Sequence, residues 1–157
     1  MKQLVSFRVG RQVFGGEILL VREIDVCLDC TPVQLAPPYI VGLANLRGQI
    51  VTLFDLGKRL AIKREAEATA SHDIMLRSTT ELSLVRTRVH RDDLFTSADP
   101  IGLRVDGIGD IVEVDDSAIE PVPANVTGVE REFLSGVALL PAELLLILDL
   151  RQLLIAR

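Results

Sequence analysis

Residues Tyr39–Leu60 can be laid over Phe133–Leu154 at a shift of 94, and six of the 22 positions are then identical. The identities are Gly42/Gly136, Ala44/Ala138, Leu46/Leu140, Asp55/Asp149, Leu56/Leu150 and Leu60/Leu154. Seven further positions exchange one bulky apolar residue for another. Composition alone gives about two identities in such a window. The excess falls on a glycine and an Asp-Leu pair, which shared apolar content does not explain. A fainter match places Gly15, Ile18, Val21 and Ile24 over Gly102, Val105, Ile108 and Ile111 at a shift of 87. The order within both halves is the same, so the chain reads as a duplication. The two units are expected at about residues 13–60 and 101–154, each completed by a strand from elsewhere, the second by one from 74–89.

Short apolar runs separated by turn signals give the class. Leu4–Val9 alternates, Gly10-Arg11 reads as a turn, and Val13–Leu20 as a partner strand. Gly15-Gly16 predicts a bulge or a close backbone approach. Ile40–Leu46, an Arg47-Gly48 turn and Ile50–Leu56 form a second hairpin. Ile74–Leu76 and Leu82–Val89 read as strands, as do Ile101–Val114 and Leu144–Leu150. Ala61–Ala70 reads as an exposed helix or loop, and residues 62–100 as partly a polar insertion. The whole reads as a single mainly β domain of barrels over 1–157, with two intertwined subdomains and short helices. Asp55 and Asp149 each follow an apolar strand, where a carboxylate can cap a short helix.

The halves also differ. Arg47 and Gly48 stand opposite Pro141 and Ala142, and Asn45 opposite Leu139. Two readings stay open: a cationic loop that serves something other than folding, or an ordinary turn arginine beside a glycine.

Composition excludes several functions. Hydrophobic residues make up 48% of the 157, enough for a sizeable core. The net charge is −5 and Trp is absent, which argues against a cationic, base-stacking nucleic-acid surface. The most apolar stretch, Gly136–Leu150, is interrupted by Pro141, Glu143 and Asp149 and is too short to span a bilayer. With no leader-like segment at the start, a cytoplasmic protein with reduced cysteines is expected. Cys27-Leu-Asp-Cys30 lacks a following helix signal, and only His72 and His90 accompany it. Two small apolar side chains therefore describe it better than a redox or zinc site. No nucleophile, base and oxyanion set can be assembled. The expectation is a non-enzyme with no catalytic residue, cofactor or metal.

Ala36 to Leu56 (APPYIVGLANLRGQIVTLFDL) strongly resembles the signature of CheW-like chemotaxis coupling domains. Val5–Gly10, Phe14–Ile24, Ile101–Asp106 and Phe133–Ala138 resemble other pieces of that family in order. Leu35-Ala36 departs from its usual Ile-Pro, and residues 62–100 are longer than its hairpin. The resemblance implies two five-stranded barrels around a shared core. It also implies an adaptor joining chemoreceptor tips to a CheA-type histidine kinase, recruited to membrane-associated arrays. Its partners would be the kinase regulatory domain, the receptor tip and other CheW-like domains. The implied docking residues are Val21, Glu23, Gly42, Asn45, Arg47, Val105 and Ile108. The alternatives are a scaffold of a pilus or other non-flagellar system lacking receptor binding, or a CxxC redox- or metal-responsive protein.

Overall fold

The structure, a computed structural model, describes residues 1–62, 72–89, 94, 96–126 and 129–155. His90 and most of the Ala61–Ala70 segment lie outside the described residues. One five-stranded sheet has the order β8 (Gly107–Val114), β1 (Lys2–Val9), β2 (Gln12–Glu17), β10 (Leu144–Leu148), β9 (Leu134–Leu139). The other runs β3 (Val21–Val26), β6 (His72–Leu76), β7 (Ile101–Val105), β5 (Gln49–Asp55), β4 (Ile40–Leu46). The expected two-unit β architecture is therefore present.

The repeat is visible strand by strand. At the centre of one sheet β2 pairs parallel with β10, Gly15 opposite Ile147. At the centre of the other β7 pairs parallel with β5, Gly102 opposite Leu53. Those four residues are related by the two sequence shifts. Both glycines are places of close approach: an added Cβ on Gly15 would stand 3.1 Å from Leu145. The β1–β2 register runs unbroken through Gly15-Gly16, so the pair marks close packing and not a bulge.

The units are threaded through each other. β3 follows β2 in the chain but lies in the other sheet, and β8 follows β7 and crosses back. Residues 13–60 and 101–154 thus each give their first strand to the opposite unit. The middle-segment strand, β6, stands beside β3 and β7, in the sheet of β4 and β5 rather than in the second unit. Leu82–Val89 is not a strand. It belongs to α2 (Thr79–Val89), whose start is fixed by reciprocal bonds between Ser78 and Glu81.

Each repeated hairpin ends in a capped turn of helix. Asp55 accepts the Lys58 N–H at 3.1 Å ahead of α1 (Leu56–Arg59). Asp149 accepts the Arg151 N–H at 3.0 Å ahead of α3 (Leu150–Leu154). The leucine after each Asp enters the core shared by the sheets, with Phe7, Phe14, Leu103 and Leu146. Burying a leucine fully contributes about 2 kcal/mol, so the repeated Asp-Leu pair sets where the chain turns and what it buries there. Each sheet also has a smaller cluster of its own, around Leu4 and Leu145 in one and around Leu53 and Met75 in the other.

The segment leaving each outer strand β3 or β8 reaches the far edge of its own sheet. Thr31 and Leu43 exchange backbone bonds of 2.8 and 2.9 Å, and Glu120 and Val137 two of 2.8 Å. Gly42 lies under the first of these bridges and Gly136 under the second.

Candidate docking surface

The β4–β5 connection is a two-residue turn with φ of 51° at Arg47 and 85° at Gly48. Two positive φ values give the mirror-type turn that suits a twisted hairpin and favours Asn-Gly. Arg47 pays the left-handed steric cost that Asn or Gly would avoid, about 1 kcal/mol. The Asn45 side chain steadies the turn by accepting the Gly48 N–H at 2.8 Å.

The Arg47 guanidinium donates to Glu23 on β3. Arg22 donates to Gln49 at 2.8 Å and lies 3.9 Å from Glu23 and 3.6 Å from Glu81 on α2. The strands β3 and β4 are opposite edges of one sheet, so these side chains join its two edges. The Arg47 side chain is 59% exposed. An ion pair in that setting adds only about 0–1 kcal/mol of stability. The network is therefore a poor explanation for folding and a good one for presenting charge.

The duplication supplies an internal control. Arg22, Glu23, Arg47 and Gln49 correspond to Gly109, Asp110, Pro141 and Glu143 in the other unit. There the cross-edge charge network has no counterpart among the described residues. A hollow of about 240 Å³ lies in its place, lined by Phe7, Val13, Ile108, Val112 and Leu140 among others, with Arg8 3.4 Å from Glu143 beside it.

The structure brings Glu23, Asn45 and Arg47 together. Val21 and Ile108, equivalent under the 87-residue shift, sit where the chain has just crossed between sheets, partly buried against the shared core. Val105 is fully buried, because β7 is a central strand flanked by β6 and β5. It supports the surface from beneath and offers a partner no area. Gly42 is buried under Thr31, so its close neighbour is the connector of its own unit and not the other unit. Sequence reasoning passed over Arg22, Gln49 and Glu81. The Ser78-x-x-Glu81 spacing was the available signal for the last.

A second polar row crosses the same sheet. Asp73, with no exposed surface, takes Arg104 Nε at 2.9 Å and Nη2 at 3.1 Å. Asp73 also accepts the Leu28 N–H at 2.8 Å, while Arg104 donates to the Leu28 carbonyl at 2.6 Å. The pair thus grips the peptide between Cys27 and Cys30. Asp25 lies opposite Asp73 in register, with one carboxylate oxygen buried and unpartnered. In the other unit the positions of Asp25 and Asp73 are held by Val112 and Leu4.

Burial first, and then Glu23, push the Asp25 carboxyl above its ordinary range. The folded state therefore holds this proton more tightly than the unfolded chain. The penalty is present at neutral pH and is relieved as pH falls through the raised folded value. Asp25→Asn is expected to raise Tm at pH 7. The gap to the parent should shrink on acidification toward pH ~4, as read by thermal melts across that range.

Cys27 and Cys30 are half-buried thiols beside Arg104. Burial pushes the Cys27 thiol up, which lowers its thiolate fraction and its reactivity. Among the described residues no group of three or more His, Cys, Asp and Glu is placed to hold a metal. Nor is any described helix long and apolar enough to cross a membrane.

Two interlocked β units with a charged loop on one of them define a scaffold whose chemistry lies on its surface. Comparison with known proteins agrees. The CheW-like domain model matches residues 3–157. The chemotaxis protein CheW of Rhizobium meliloti (strain 1021) is 34% identical over 149 residues, covering 95% of this chain and 84% of that protein. A probable chemotaxis protein CheW of Rhizobium etli is 32% identical, covering 97% and 86%. The crystal structure of the scaffolding protein TtCheW from Thermoanaerobacter tengcongensis superposes with a TM-score of 0.76 at 26% identity, over 97% of this chain and 91% of that one. The chain belongs to the CheW-like family, a family of chemotaxis scaffolds and adaptors and not of enzymes.

Proposed function

We propose that this chain couples chemoreceptors to a CheA-type histidine kinase, working in the cytoplasm at membrane-associated receptor arrays. The observation that carries the reading is the charged network of Arg22, Glu23, Arg47 and Gln49 on one unit of a duplicated scaffold. A scaffold needs its fold twice but its recognition chemistry only where a partner docks. The receptor's helical hairpin tip would lie along this surface, with Val21 and Ile108 supplying apolar contact and Arg47 fixing register. Ile24, Ile50, Ile111 and Leu139 are large apolar side chains left exposed on the two units. They suit unit-to-unit pairing with the kinase's regulatory domain or another CheW-like domain.

Arg47→Asn separates recognition from folding. It makes the turn Asn-Gly and relieves the left-handed cost at that position, so Tm should stay level or rise by about 1–3 °C. Binding of a receptor cytoplasmic fragment, followed by sedimentation, should fall about ten-fold or more. A matching loss of Tm would make Arg47 a structural residue and remove the main support for the reading.

A further inference from the structure

We infer that α2 is a wall of the receptor-docking surface, with Leu84 as its contact residue; this rests on the docking reading above. The strands β1 and β2 are joined by the two residues Gly10 and Arg11, whereas their counterparts β6 and β7 are joined by residues 77–100, which carry α2. The helix therefore stands on the same unit that carries the Arg47 network, and the unit without that network has only a tight turn. Two departures from the duplicated plan thus fall on one surface.

Side chains connect them. Glu81 closes the helix N-terminus by accepting the Ser78 N–H at 3.0 Å, and its other carboxylate oxygen lies 3.6 Å from Arg22. Arg22 in turn binds Gln49 and stands beside Glu23, the partner of Arg47. A continuous chain of charged and polar groups runs from α2 to the β4–β5 turn. Leu82, 1% exposed, and Val85 hold the inner face of α2 on the shared core, where Val21 also packs. Leu84 follows Glu81 by three residues, which makes the two neighbours on the helix surface, and is 69% exposed. A large apolar side chain so placed has no folding role in the isolated chain.

The occupant is a helix of the receptor hairpin, since a helix lying on Val21 and Arg47 extends past the adjacent α2. It carries an apolar residue over Leu84 and, farther along the same face, an acceptor for Arg47. The polar links from Arg22 to both elements keep the two contact points at a fixed spacing, which makes α2 a selector among receptors.

The test uses the intact chain, a receptor cytoplasmic hairpin fragment and the CheA regulatory domain. Leu84→Asp should weaken binding of the receptor fragment about ten-fold. It should leave kinase-domain binding and Tm unchanged, and Leu84→Ser should show the same pattern more mildly. In the unmodified protein, α2 amides should gain hydrogen-exchange protection when the receptor fragment binds. Arg47→Glu separates the two levels of inference. If Arg47→Glu abolishes receptor binding while Leu84→Asp does not change it, the role of α2 is refuted and the docking reading survives. If neither substitution changes receptor binding, both fall. Loss of kinase-domain binding on Leu84→Asp, with receptor binding intact, would place α2 on the kinase face and overturn the inference.

Discussion

Gly42→Ala should lower Tm by about 6–12 °C, the consequence of roughly 3 kcal/mol of overpacking in a chain of this size. An added Cβ would overlap the Thr31 carbonyl oxygen and lie 2.7 Å from the Thr31 carbonyl carbon. Both are backbone atoms, held by the paired bonds between Thr31 and Leu43. Neither can move without breaking the bridge to the far edge of the sheet. The repeat provides two calibrations. At Gly136 an added Cβ would stand 2.8 Å from the Ile119 side chain and 3.0 Å from the Glu120 carbonyl oxygen, a milder backbone clash than at Gly42, so Gly136→Ala should cost less. At Gly48 nothing lies within 4 Å, and only the positive φ of 85° opposes a side chain. Thermal melts should rank the three as Gly42, then Gly136, then Gly48. A Gly42→Ala protein melting like its parent would mean that the connector is not fixed in place.

Arg104→Met should be comparably damaging, at about 3–5 kcal/mol, because it leaves the Asp73 carboxylate buried without its cation. The same substitution frees the Leu28 carbonyl that Arg104 holds. Asp73→Leu combined with Arg104→Met should recover part of the loss. A partial precedent is within the molecule: in the other sheet Leu4 and Val112 stand in the places of Asp73 and Asp25, while Glu17, the counterpart of Arg104, lies 3.6 Å from Lys2. Recovery should stay incomplete, since the Leu28 N–H loses its acceptor as well. Chemical denaturation of the single and double variants measures both steps. A single variant within about 1 kcal/mol of the parent would contradict the account of the pair as a buried latch.

How far the fold could be read depended on the kind of information each element carries. The hairpins and their Asp caps were legible because a cap and a tight turn are written in neighbouring residues, and here they are written twice. The crossing of the chain between sheets at β3 and β8 was not, because a strand's own pattern does not name its partner. Nothing in Val21–Val26 says that it pairs with His72–Leu76. The apolar content of Leu82–Val89 predicts a strand, while the Ser78-x-x-Glu81 pair, which decides for helix, lies just before that run. At the site, Arg47 stood out because its counterpart is proline. Val105 was carried over by resemblance, which transfers a position along the chain and not its exposure. Arg22 was invisible as a hub because its partners, Gln49 and Glu81, lie far from it in sequence and meet only when the sheet curls.

The crossing of β3 and β8 bears on how such a chain can be divided. A cut after α2 would leave β1 and β2 of one sheet with β3 to β6 of the other on the first fragment, and β7 with β8 to β10 on the second. Neither piece contains a complete sheet, although each contains one copy of the repeat. The unit of inheritance and the unit of folding are thus different objects. Duplication produced two copies of a sequence, but the molecule has no half that can be discarded, exchanged or regulated on its own.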